Sequence, residues 1–133
     1  MSAERVTYLD SSAIVKLAAE EPESAALRHF LRRRHRLASS ALAQTEVARA
    51  LMLDGPLAVQ RGWQVLQTVS LIRVSDRVLR LAGELPRAEL RSLDAIHLAT
   101  VQLLGQDFGR VVTYDERLAE AARALRIRVV SPA

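Results

Sequence analysis

The sequence predicts an α/β domain with a mainly parallel central sheet, and three observations carry that prediction. Short apolar runs at 6–9, 37–39, 71–74, 110–113 and 127–130 alternate with segments of helical periodicity. The chain has 133 residues, half of them hydrophobic, enough for one core without cross-links. No repeat, linker or low-complexity stretch divides it, so 1–133 is expected to form a single domain.

The elements follow in order. Residues 6–9 read as a short buried strand. Asp10-Ser11-Ser12 is a helix-start signature for a helix over 13–20, broken by Pro22. A second helix over 23–34 has Ala26, Leu27, Phe30 and Leu31 on its apolar face, and 37–39 is strand-like. Residues 41–53 form a third helix, stopped by Asp54-Gly55-Pro56. The next helix, 57–69, carries Trp63 and is weakened by Gly62. After the strand at 71–74, Asp76 caps a helix over 77–85 that Pro86 stops. Ser92 caps the helix over 93–104, and Gly105 ends it. A strand at 110–113, a helix over 116–125 and a strand at 127–130 complete the chain.

Composition excludes several functions. With no cysteine, disulfides, zinc-thiolate sites and thiol catalysis are ruled out. Nothing near the N-terminus resembles a signal peptide and no apolar run could span a bilayer, so a cytoplasmic protein with no membrane partner is expected. Net charge is +4, and Lys16 is the only lysine. Arg28, Arg32, Arg33, Arg34 and Arg36 concentrate in one segment with His29 and His35. Such a cluster suits a polyphosphate backbone, although an Arg-rich codon usage or a solvated helix face explains it as well.

Asp10, Glu46, Asp94 and Asp115 are the chemically informative residues. Asp10 and Asp115 directly follow predicted strands, the edge at which α/β sheets bind ligands. Both are also plausible helix N-caps, and Asp94 a first-turn acid. Glu46 sits mid-helix beside the packed side, and Asp94 opens a helix that is apolar nearly all round. Charges in such places need something to offset them; gathered together, the four would make an oxygen-only site suited to Mg²⁺ or Mn²⁺. Without metal they would repel one another, so a divalent ion should raise the melting temperature. His97, three residues after Asp94, reads as a packed or carboxylate-orienting histidine rather than a ligand of a hard ion. Trp63 reads as a core or interface residue; low aromatic content argues against base stacking.

The segments 8–17 (Tyr-Leu-Asp-Ser-Ser-Ala-Ile-Val-Lys-Leu), 93–100 (Leu-Asp-Ala-Ile-His-Leu-Ala-Thr) and 112–118 (Val-Thr-Tyr-Asp-Glu-Arg-Leu), with Glu46 in its own helix, resemble the PIN-domain family. More narrowly they are similar to VapC-type toxins of bacterial toxin–antitoxin pairs. The resemblance implies a three-layer α/β/α fold and a Mg²⁺- or Mn²⁺-dependent endoribonuclease. It maps the acidic quartet onto Asp10, Glu46, Asp94 and Asp115. Ser12 and Thr113 read either as hydroxyls that orient a carboxylate or phosphate or as a plain helix cap and a plain strand residue. The resemblance further implies an RNA substrate, a VapB-like antitoxin laid over the acidic pocket, and a homodimer for which the fourth and fifth helices are candidate surfaces. Two features depart from the family: Leu125-Arg126-Ile127 stands where many relatives turn on a glycine, and the one extra acid nearby, Glu116, is expected to point away.

Three other readings remain at this point. A non-toxin PIN ribonuclease and a non-catalytic RNA-binding PIN-like domain share the motifs. A phosphoacceptor receiver domain would use Asp54, but needs a strand where 41–53 reads as helix.

Overall fold

Val6, Thr7, Tyr8 and Leu9 are all buried, so β1 (Val6–Leu9) is covered on both faces and belongs in the middle of the sheet. The computed structural model describes residues 5–33 and 36–133 and places it there. The other strands are β2 (Arg36–Ser40), β3 (Ser70–Ile72), β4 (Phe108–Val112) and β5 (Val129–Val130). Their order is β3-β2-β1-β4-β5, with every pairing parallel. The helices are α1 (Ser11–Ala18), α2 (Ser24–Leu31), α3 (Ala43–Leu51), α4 (Pro56–Leu66), α5 (Asp76–Gly83), α6 (Ser92–Leu103) and α7 (Glu116–Ala124).

Alternation along the strands divides the core in two. Leu9 and Val112 face a cluster with Ile14, Leu27, Val47, Leu51 and Leu66, so α1 to α4 cover one side. Tyr8 and Val111 face Leu98, Val101, Leu118 and Ala122, so α6 and α7 cover the other, with α5 packed on α6. The result is the three-layer α/β/α arrangement. Among the described residues no helix is long and apolar enough to cross a membrane.

Several local expectations are corrected. Ser75, not Asp76, caps α5, its hydroxyl accepting from Val78 N at 3.2 Å. Ser92 lies inside α6; Arg91 holds the cap position without a side-chain bond. Residues 52–54 leave α3 as a 3₁₀ turn, so Asp54 ends no strand and the receiver reading falls. Trp63 is 43% exposed, which excludes the core half of its reading and leaves the interface half. Arg34 and His35 lie outside the described residues. Arg28 pairs with Glu20 at 3.0 Å, and Arg28, Arg32, Arg33 and Arg36 are exposed. Arg36 starts β2 opposite Val6, the start of β1, whereas Asp10 follows the end of β1. The strand length of roughly 13 Å therefore separates Arg36 from the acidic edge.

Gly62 has a packing reason. A Cβ there would stand 2.6 Å from Leu51 Cδ1 and 3.2 Å from Val47 Cγ1, so α4 approaches α3 at a distance that only glycine allows. Near the start of β4, the pairing with β1 shifts register between Val6 and Thr7 so that Gly109 is bulged out. A Cβ on Gly109 would meet Val6 O at 3.0 Å.

The turn after α7 is a Schellman motif. Ile127 N donates to Ala122 O and Arg126 N to Arg123 O, both at 2.9 Å, and Arg126 takes φ 62°. A left-handed arginine costs roughly 1 kcal/mol relative to glycine. Arg126 is exposed, so Arg126→Gly should stabilise the fold by about that amount, raising Tm by roughly 4 °C in a thermal melt. An unchanged or lower Tm would mean that the arginine side chain compensates.

Candidate active site at the carboxyl edge of the sheet

Asp10 is the N-cap of α1 and only 4% exposed. Its Oδ1 accepts from Ala13 N at 3.0 Å and from the Ser12 hydroxyl at 2.7 Å; its Oδ2 accepts from the Thr113 hydroxyl at 2.6 Å. Burial pushes the Asp10 carboxyl above the usual aspartate range, and these three donors hold it back only in part. The cap role of Asp10 is therefore observed, and it leaves the carboxylate at the carboxyl edge of the sheet. Thr113 follows β4 and is brought beside Asp10 by the pairing of β1 with β4, continued by Asp10 N donating to Val112 O at 3.2 Å.

Thr113 Oγ1 also accepts from Asp115 N at 3.0 Å. Asp115 is the N-cap of α7, its Oδ1 accepting from Arg117 N and Leu118 N at 2.9 and 3.2 Å. One hydroxyl thus joins the two strand-end acids.

Glu46 reaches the same edge from α3. Its Oε1 accepts from the Ser11 hydroxyl at 2.5 Å and from His97 Nε2 at 2.7 Å. Burial raises the Glu46 carboxyl, but His97 and Ser11 outweigh it, leaving the group below the usual glutamate range. His97 is 3% exposed, and its Nδ1 lies 2.6 Å from the Tyr8 hydroxyl.

Asp94 projects from the first turn of α6. Its Oδ2 lies 3.5 Å from Arg91 Nε, yet this buried oxygen makes no hydrogen bond. Burial first, and the negative charge of Asp115 second, raise the Asp94 carboxyl above the usual range. Glu46, Asp94 and Asp115 line one cleft of about 340 Å³ with Arg91, Ser92 and Leu93. Asp10 does not line it; it connects through Thr113, and through its neighbour Ser11, which holds Glu46. Glu116 is exposed and also outside that cleft.

The donor set fits a hard divalent cation. It consists of carboxylate oxygens, and the buried Asp94 Oδ2 has the Arg91 ion pair but no hydrogen bond. Among the described residues no three acidic or imidazole side chains are close enough to enclose an ion directly.

Sequence reasoning overlooked Ser11, Tyr8 and Arg91. Ser11 had a usable signal: it adjoins Asp10, and the first turn of a helix throws successive side chains to different sides. Tyr8 had none, because a tyrosine inside an apolar strand reads as packing until its partner is seen.

Residues 7–124 match the model of the PIN domain. The chain is 58% identical over 125 residues to Ribonuclease VapC46 of Mycobacterium tuberculosis, covering 94% of this chain and 96% of that protein. It is 41% identical over 129 residues to Ribonuclease VapC35 of the same species, with the same coverage. Among solved structures, Mycobacterium tuberculosis VapC20, described as a sarcin-ricin loop cleaving toxin, superposes with a TM-score of 0.78 at 16% identity, covering 95% of this chain and 99% of that one. A toxin–antitoxin complex from Klebsiella pneumoniae gives 0.71 at 22% identity, covering 96% and 98%. The structural likenesses bear on the fold; the family model and the sequence identities bear on descent, and by them the chain belongs to the PIN-domain family, among its VapC members.

Proposed function

We propose that this protein is a divalent-metal-dependent endoribonuclease, the toxin of a VapBC-type pair, and that Asp10, Glu46, Asp94 and Asp115 carry the reaction. The observation that supports it most is the buried Asp94 Oδ2, without a hydrogen bond, in a cleft shared with Glu46 and Asp115. The relatives' name of ribonuclease supplies the substrate class. A bound Mg²⁺ or Mn²⁺ would neutralise the phosphodiester and supply a water-derived nucleophile at neutral pH.

The chain's own residues do the positioning. Asp94 and Asp10 are the first candidates to hold the ion; Glu46 and Asp115 complete the acidic wall and orient its waters. Thr113 and Ser12 donate hydroxyls to Asp10 and hold its carboxylate in one rotamer. Arg91 lines the cleft and offers a guanidinium to a phosphate that displaces it from Asp94. Attack by water in line with the leaving 3′-oxygen yields a 5′-phosphate and a 3′-hydroxyl.

The antitoxin partner is supported by the Klebsiella toxin–antitoxin complex and by a VapBC2 complex from Rickettsia felis, which share this fold. Met52, Leu53, Leu57 and Trp63 around the α3–α4 turn, with Leu79 on α5 and Leu93 on α6, are exposed apolar groups available to the antitoxin or to a second copy of the chain.

Purified, antitoxin-free protein incubated with total RNA tests the reading. Discrete fragments with 5′-phosphate ends should appear with Mg²⁺ or Mn²⁺ and be absent with EDTA. Binding of RNA without cleavage under any metal would instead favour a non-catalytic RNA-binding domain.

A further inference from the structure

Beyond the acids, the least expected feature of the site is a buried line of polar groups crossing three elements: Tyr8 in β1, His97 in α6 and Glu46 in α3. The Tyr8 hydroxyl lies 2.6 Å from His97 Nδ1, and His97 Nε2 lies 2.7 Å from Glu46 Oε1. The two rings meet edge to face, with centroids 5.9 Å apart and planes at 81°. A histidine on a buried apolar helix is ordinarily a packing residue. Here both ring nitrogens are used, on partners from two other elements, and one partner is an acid of the cleft.

We propose that Tyr8 and His97 are positioning residues for Glu46, pinning Oε1 so that Oε2 is the oxygen presented to the cleft. Oε1 takes both the His97 and the Ser11 hydrogen bonds, and among the described residues no hydrogen bond reaches Oε2. A glutamate carboxylate otherwise turns about a broad, roughly two-fold torsion that exchanges its oxygens. The direction of the line follows from chemistry. Glu46 Oε1 is a carboxylate oxygen and can only accept, so Nε2 donates to it, and the bare Nδ1 of the neutral ring accepts from the Tyr8 hydroxyl. The ring then carries its own proton at Nε2 and gives it to Glu46, so Tyr8 selects the tautomer that serves the acid. Tyr8 lies two residues before Asp10 on the same strand segment, and the line therefore couples the orientation of Glu46 to the element that places Asp10.

The inference rests on the ribonuclease reading for its consequence but not for its geometry, and two measurements separate them. Nitrogen-15 NMR of the imidazoles in metal-free protein should show His97 protonated at Nε2 and bare at Nδ1, with Tyr8→Phe giving a mixed tautomer. Cleavage of a defined RNA against Mn²⁺ concentration should be compared for the wild type, His97→Gln and His97→Asn, each shown to be folded by a thermal melt. Glutamine can place an amide N–H near the Nε2 position, whereas asparagine is too short to reach Glu46. The asparagine variant should need about 10- to 100-fold more Mn²⁺ for half-maximal rate, at unchanged KM for RNA, and the glutamine variant should recover most of that loss. Wild-type metal dependence in His97→Asn, or no advantage of glutamine over asparagine, would overturn the proposal. So would a wild-type imidazole protonated at Nδ1. Should the wild type cleave no RNA with any metal, the ribonuclease reading falls, and the tautomer measurement alone then decides the pinning.

Discussion

Asp10→Asn protein is expected to fold like the wild type and to cleave RNA at least about 100-fold more slowly at saturating Mg²⁺ or Mn²⁺. The fold should survive because the hydrogen bonds can be rewired. The amide oxygen of the substituted side chain keeps the Ala13 N–H and the Ser12 hydroxyl, and its amide nitrogen can donate to Thr113 Oγ1. Thr113 then turns its own proton toward Ser12 Oγ, 3.5 Å away. What the amide cannot replace is the negative charge. The measurement is the initial rate on a defined RNA at saturating metal, with circular dichroism as the folding control. A folded variant within a few-fold of the wild type would remove Asp10 from the reaction.

For Asp94→Asn two changes in heat stability are expected, in opposite directions. Without metal its Tm at pH 7 should exceed that of the wild type by a few degrees; with Mn²⁺ the gain seen in the wild type should disappear. Burial and Asp115 hold the Asp94 carboxyl above its ordinary value, so the native state binds this proton more tightly than the unfolded chain does. The stability linked to it is fully present below the unfolded value near ~3.9 and is lost as pH rises through the native one. Buried Asp10 acts in the same sense. Glu46 acts in the other, since its lowered carboxyl contributes stability that is lost as pH falls through the native value. Above its native value the Asp94 carboxylate of the metal-free wild type is therefore unfavourably ionised, and asparagine removes that charge. Metal reverses the balance in the wild type: an ion present at 100 times its Kd adds about 2.7 kcal/mol. Thermal melts from pH 5 to 8, with and without Mn²⁺, read both effects. An Asp94→Asn protein that is no more stable than the wild type without metal, or that gains as much from it, would place the ion elsewhere.

The fold was readable because its signals are local. Strand-like runs of three or four residues and amphipathic helices appear in the chain wherever β1 to β5 and α1 to α7 form, with ends displaced by a few residues. Helix ends were misassigned where two cap residues stand side by side. Ser75 and Asp76 can each cap α5, and only the backbone at Ser75, φ −84° and ψ 168°, decides between them. Gly62 read as a weak point of α4, and its cause, the approach of Leu51 from α3, belongs to no single segment. The place of Arg36 was hidden for the same reason: charge is a property of sequence, whereas the end of the sheet that receives it is a property of topology.

What the sequence by itself determined is the kind of chemistry. Four acids stood at strand ends and on helix faces, three of them also readable as caps or first-turn acids, in a chain without cysteine, and gathered together such residues would make an oxygen-donor site. The tertiary structure alone decided how the acids differ. Parallel pairing of β1 with β4 brings the Thr113 hydroxyl to Asp10, across a separation of 103 residues. Helices α3 and α6, from opposite faces of the sheet, bring Glu46 and His97 together at its edge, 51 residues apart. Burial then raises Asp10 and Asp94 while His97 and Ser11 lower Glu46. A carboxylate's affinity for protons and metals depends on the dielectric and the donors around it, and those are supplied by residues distant in the chain.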